Sequence, residues 1–187
     1  MPGLLVASKL GMNPAPFGSY DLTAQAGLSG AFDLDSFRAD SHKLPLVVVV
    51  SPENRNLLAV VQLTQESDSG TFVPAKQWQA IGTLNSSALS RQNVGLDATG
   101  RGCNRIRVHQ PSQRAIFSCF GGGHGHASVG FVDLSSPAEP RLMAAVPFVT
   151  EQPTGMLVVG DVLIVAGGLE LMARPEQDPA LVLGSWG

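Results

Sequence analysis

One stretch of the chain occurs twice. Leu46-Val47-Val48-Val49-Val50-Ser51-Pro52, followed by Leu57-Leu58-Ala59-Val60-Val61, returns 85 positions later without a gap. The second copy reads Phe131-Val132-Asp133-Leu134-Ser135-Ser136-Pro137, then Leu142-Met143-Ala144-Ala145-Val146. Val47/Val132, Ser51/Ser136, Pro52/Pro137, Leu57/Leu142, Ala59/Ala144 and Val61/Val146 are identical pairs. A looser third copy closes the chain, with Leu169-Glu170-Leu171-Met172, Pro175 and Ala180 to Trp186. Each copy is an apolar run, a polar turn holding proline, and a second apolar run. Val, Leu and Phe suit a pleated, half-buried surface. Proline has no N–H to donate, so it belongs in the connector.

Two copies are preceded by a hairpin. Met156-Leu157-Val158-Val159 and Val162-Leu163-Ile164-Val165-Ala166 flank Gly160-Asp161. Glycine at the first loop position is what a type II′ turn needs. Arg105-Ile106-Arg107-Val108 and Arg114-Ala115-Ile116-Phe117-Ser118-Cys119-Phe120 flank His109 to Gln113, and the alternation of Ile106 and Val108 with arginine marks a half-buried strand. Hairpin, glycine-rich bend, strand, proline turn and strand make a four-stranded meander, the blade of a propeller. The expected fold is all-β, one propeller-like domain over 1–187 with about two to three blades. Its units run over about 1–64, 104–149 and 154–187, with an insertion at 65–103. Leu4 to Ser8 reads as a leftover inner strand of the first unit. Within the insertion, Thr71-Phe72-Val73 and Trp78-Gln79-Ala80-Ile81 read as a small hairpin. Ser29 to Phe37 fits either a turn of helix or a degenerate strand.

Arg114 to Phe117, Val129-Gly130-Phe131-Val132-Asp133-Leu134-Ser135-Ser136-Pro137 and Pro140-Arg141-Leu142 together resemble the LVIVD-type β-propeller repeat. Gly155 to Trp186 resembles another copy. Gln110-Pro111-Ser112-Gln113-Arg114 is similar to the "P-S-G-R" turn of YVTN and lactonase-like propellers, with Gln113 in the place of glycine. The resemblance covers roughly 104–186 and 45–64, and it implies a fold that serves many functions rather than one chemistry. Fewer units are present than the four to eight blades of a closed ring. The expectation is then a fragment, a ring completed by self-association, or a twisted open stack of sheets.

Composition supports a turn-rich chain, with 21 glycines, 13 prolines and 14% charged residues in 187. The net charge of -3 gives no basic footprint for nucleic acid. No apolar run reaches the ~20 residues of a membrane helix. The apolar run after Met1 lacks a basic leader, so a cytoplasmic location is the default expectation. Cys103 and Cys119 flank one hairpin and are placed to face each other. The simpler expectation is a pair of half-buried free thiols.

The glycine loop Gly121 to Ser128 holds His124 and His126. It is no phosphate loop, because a strand and not a helix follows it. The two imidazoles are candidate ligands for a divalent metal, with His109, His42 or Cys119 as a third. The equivalent bend at Gly167-Gly168 is shorter, which leaves the extra residues free for binding. Arg105 and Arg107 share a face near Arg114, offering a site for an anion or acidic partner, or else a solvated outer strand. No nucleophile elbow or Cys–His pair stands out, and Asp21, Asp33, Asp35 and Asp40 read as turn residues. The expected function is a non-catalytic repeat module binding a protein or small ligand through loops, with no cofactor. The alternatives are a lactonase-like hydrolase, metal-assisted through His124, His126, Asp133 and Arg114, and a propeller fragment with no function alone.

Overall fold

The computed structural model describes residues 4–9, 15–28, 33–42, 45–50, 56–66, 72–85, 103–119, 128–147, 153–167 and 180–185. Strands β1 (Leu4–Lys9) and β2 (Ala15–Asp21) form a two-stranded sheet. A short helix α1 (Leu22–Ala26) follows. Strands β3 (Asp33–Phe37), β4 (Leu46–Val50), β5 (Asn56–Glu66) and β6 (Phe72–Asn85) make a first four-stranded meander. Strands β7 (Cys103–His109), β8 (Arg114–Cys119), β9 (Ser128–Asp133) and β10 (Arg141–Pro147) make a second. Strands β11 (Pro153–Val159), β12 (Val162–Gly167) and β13 (Ala180–Ser185) form a three-stranded sheet. Every pairing is antiparallel between strands adjacent in sequence. The described fold is therefore mostly β and built from meanders.

Local chemistry explains the turns. Between β7 and β8, Gln110–Ser112 form one 3-10 turn with Pro111 at its start. Gln113 closes it at φ 50, ψ 44, and its N–H donates to the Gln110 carbonyl at 3.2 Å. A left-handed conformation is one that glycine adopts without the Cβ strain glutamine bears here. Gly160 opens the β11–β12 turn at φ +57, the positive value a type II′ turn requires first. Between β9 and β10, Glu139 N–H donates to the Ser136 carbonyl at 3.0 Å, with Pro137 at the second turn position.

The two matching segments both fold as strand pairs, β4–β5 and β9–β10, but with different registers. Val47 faces Val61, whereas its counterpart Val132 faces Leu142. Asp133 is the physical difference. Its Oδ1 accepts the Ser135 N–H at 2.9 Å, and that local turn ends β9 early. Val48 to Val50 offer no such acceptor, so β4 continues.

Several expectations need correction. Residues 72–85 form one long strand, β6, along β5, in place of a small hairpin. Cys103 and Cys119 are not free thiols. They sit opposite each other on β7 and β8, both buried, and their sulfurs are bonded. Leu4 to Ser8 pairs with β2 alone. Of the two readings left open for Ser29 to Phe37, the strand is the one found, over Asp33–Phe37. Leu169 to Met172 lie outside the described residues.

The sheets stack. Phe37, Leu46, Val48, Val50, Leu58 and Val60 of the first meander share a core with Ile106, Ala115, Phe117, Val132 and Leu134 of the second. On the far face of the first meander, Leu22, Ala26 and Leu28 cover Val49, Ala59 and Val61. Asp21 caps the helix, its Oδ1 accepting from Thr23 and Ala24 N–H at 2.9 and 3.0 Å. On the far face of the second meander, Ile116 and Val129 pack against Met156, Leu163 and Val165. Two glycines make the close approaches possible. Gly130 stands opposite Phe117, and a Cβ there would lie 2.2 Å from the Phe117 ring. A Cβ on Gly82 of β6 would lie 2.1 Å from the Pro137 carbonyl oxygen in the neighbouring meander.

Candidate functional site at the turn end

The first strands of the three larger sheets come together, with β7 in contact with both β3 and β11. Strand β7 is an edge of its own sheet, and alternate residues of an edge direct unpaired N–H groups outward. Aspartates of β3 meet them. Asp33 Oδ2 accepts the Ile106 N–H at 3.2 Å, and Asp35 Oδ2 accepts the Val108 N–H at 2.8 Å. The second oxygen of each carboxylate takes an N–H of β3 itself, from Leu34 at 3.0 Å and Ser36 at 2.8 Å. The two-residue period of the carboxylates matches that of the outward amides. Arg107 completes the row with a 2.7 Å ion pair to Asp33.

Further fastenings among the described residues gather at one end of the stack, some between sheets and some between turns of the second meander. Gln110 exchanges two hydrogen bonds with the Arg38 backbone: Arg38 N–H donates to Oε1 at 2.9 Å, and Nε2 donates to the Arg38 carbonyl at 2.6 Å. Ser41 Oγ donates to the Ser135 carbonyl at 2.8 Å. Leu134 N–H donates to the Gln113 carbonyl at 2.8 Å. His109, buried, holds Ser112 Oγ at Nδ1 at 2.6 Å and Asp161 Oδ1 at Nε2 at 3.4 Å. The β3–β4, β7–β8, β9–β10 and β11–β12 connections are thereby tied together. The β5–β6 pair runs past Gln62, which faces the start of β4, so Thr64↔Pro74, Gln65↔Val73 and Glu66↔Phe72 form a ribbon leaving the stack at this same end.

The sequence candidates fall in three places. His124 and His126 lie outside the described residues. Arg105 donates through NH1 to the Asn104 carbonyl at 2.9 Å, and Arg107 is engaged with Asp33. Both stand on β7, whose edge faces β3 and not open solvent. Arg114 sits opposite both His109 and Asp133 in the strand ladder, and Asp133 also faces Arg141. Arg114 and Asp133 are thus brought together at the turn end. Cys119 is bonded to Cys103 and is no metal ligand. Among the described residues, no three of His, Cys, Asp and Glu lie close enough to hold a metal ion. No helix among them is long and apolar enough to cross a membrane.

Asp33 and Asp35, read from sequence as turn residues, lie instead in strand β3 as acceptors of the β7 amides, and Gln110, read only as part of a turn, carries a contact between meanders. The one available signal was the Asp-Leu-Asp alternation within a strand-like run. No protein-family model matches the chain, and no match is found among curated proteins.

Proposed function

We propose that this chain is a propeller-type repeat module, without catalytic machinery of its own, that binds a protein partner through the turn end of its stacked sheets. The observation that carries this reading is the concentration of fastenings between connections there: Gln110 and Ser41 hydrogen-bond across the two meanders, His109 reaches Asp161 of the last sheet, and Gln113 ties two turns of the second meander. Turns fastened to one another lose little freedom on binding, which favours affinity. Loops displayed by a rigid β scaffold are where repeat proteins carry their binding surfaces. The adjacency of β3, β7 and β11, each opening a meander, supports a partial ring of blades. The row Ser112–His109–Asp161 acts as a fastening in this reading, because its imidazole is buried.

Position-specific photocrosslinking tests it. A photoreactive residue placed at the exposed Pro111 or Ala138, in an extract of the source cells, is expected to give a discrete adduct that Glu139→Lys removes. The same residue at Asn85, at the other end of β6, is expected to give none. Equal adducts from both ends, or none from the turn end, would overturn the proposal.

A further inference from the structure

Asn85-Ser86-Ser87 has the Asn-x-Ser pattern at which oligosaccharides are attached to asparagine, with no proline in the middle. The pattern carries meaning only on a reachable side chain, and only in a chain that passes through a secretory compartment. Two features of the structure meet these conditions.

The first is position. Strand β6 is the edge of the first meander and pairs with β5. Along its last residues burial alternates: Gly82 and Leu84 are buried, whereas Thr83 and Asn85 are exposed. Leu84 enters the core shared by the two meanders, so the period of two sends Asn85 to the opposite face. Asn85 faces Asn56 across the ladder, and Asn56 Nδ2 donates to the Ala26 carbonyl at the end of α1 at 2.8 Å. Asn85 therefore stands beside α1 on the outer surface, where β6 ends. The other end of β6 is the one that runs out at the turn end, so a bulky group on Asn85 leaves the turn-end surface clear.

The second is redox chemistry. Cys103 and Cys119 are bonded to each other and only 2% and 4% exposed. They are the two cysteines of the chain, so every thiol is paired. A reducing cytosol keeps such pairs as thiols, whereas the secretory lumen and the space outside the cell let the bond form and persist. The bond and the Asn-x-Ser pattern are independent of each other, and they call for the same environment.

We propose that this chain folds in an oxidising secretory compartment, in place of the cytoplasm, and carries an N-linked oligosaccharide on Asn85. The donor is an oligosaccharide linked to a lipid through pyrophosphate. The Asn85 amide nitrogen bonds to the anomeric carbon of the first sugar. The bond from that carbon to the pyrophosphate oxygen breaks, lipid pyrophosphate leaves with the electron pair, and the amide gives up one proton. The site is separate from the turn end, and the proposal does not depend on the reading of that surface.

The full chain isolated from its source cells tests this. Digestion with peptide-N-glycosidase should raise its electrophoretic mobility to that of the unmodified chain and convert Asn85 to aspartate, read by peptide mass spectrometry. Asn85→Gln and, independently, Ser87→Ala should migrate as the unmodified chain without digestion, whereas Ser87→Thr should keep the retarded mobility. Alkylation without prior reduction should label neither Cys103 nor Cys119. A native chain whose mobility does not respond to the glycosidase overturns the proposal, as does a retarded mobility that survives Asn85→Gln. Cysteines that alkylate in the native chain overturn it as well, by removing the oxidising compartment.

Discussion

The contact between the two meanders and the contact between the second meander and the β11–β13 sheet use the same kinds of apolar side chain, but they are fastened differently. Between the meanders, a large shared core is joined by carboxylates seated on edge amides, by the Gln110–Arg38 exchange and by Ser41 on Ser135. At the other contact the buried cluster is smaller, and the Asp161 that reaches His109 is 78% exposed. Burial supplies most of the free energy of such contacts but little direction, because it scales with area removed from water. Hydrogen bonds aimed at backbone amides add direction, and they fix how one sheet sits on the next. The first contact has both, and the second rests mainly on burial.

The comparison can be tested from its largest expected effect downward. Phe117→Ala empties the centre of the shared core and should cost about 3–5 kcal/mol in chemical denaturation. Glycines next separate a packed contact from an open face. Gly82→Ala drives a methyl group against the Pro137 backbone and should cost about 1–3 kcal/mol. Gly155→Ala in β11, on the strand face of the exposed Leu157, meets only the Ala166 Cβ at 3.5 Å and should stay within about 0.5 kcal/mol of wild type. Equal losses from the two would mean that the Gly82 approach between the meanders is no tighter than a position facing away from the stack.

Polar fastenings give the third test. Asp35→Ala leaves the Val108 N–H of the β7 edge without its acceptor and should cost about 1–2 kcal/mol, with faster hydrogen exchange at that amide. Asp161→Ala removes an exposed partner of His109 and should cost less than about 0.5 kcal/mol. If the two losses match, the contrast between the interfaces is gone. The smallest effect has the opposite sign. Gln113→Gly relieves a left-handed glutamine whose buried Oε1 has no hydrogen-bond partner, and should raise stability by about 1 kcal/mol in thermal unfolding.

Much of the strand arrangement was legible because it is written locally. The alternation around Ile106 and Val108, Pro111 in its turn and Gly160 at the head of a two-residue loop each act over a few residues, and each appears where its chemistry places it. The register of the repeat was not legible. Val47 and Val132 are the same residue in the same pattern, yet their partners differ, because Asp133 turns on Ser135 and Val48 has nothing with which to do so. The candidate site was largely hidden. Arg105 and Arg107 suggest an anion site when read alone, but Asp33 is 74 positions away from Arg107 and occupies its guanidinium.

By itself the sequence determined that this chain forms antiparallel strand pairs joined by proline and glycine turns, since periodicity and turn chemistry are properties of neighbours along the chain. Tertiary structure alone decided that the edge of β7 is sealed by carboxylates from β3, that α1 covers the far face of the first meander, and that Leu157 and Val159 stay exposed on β11. Those outcomes depend on which sheet lies against which, and contacts between residues far apart in sequence leave no periodic trace in it.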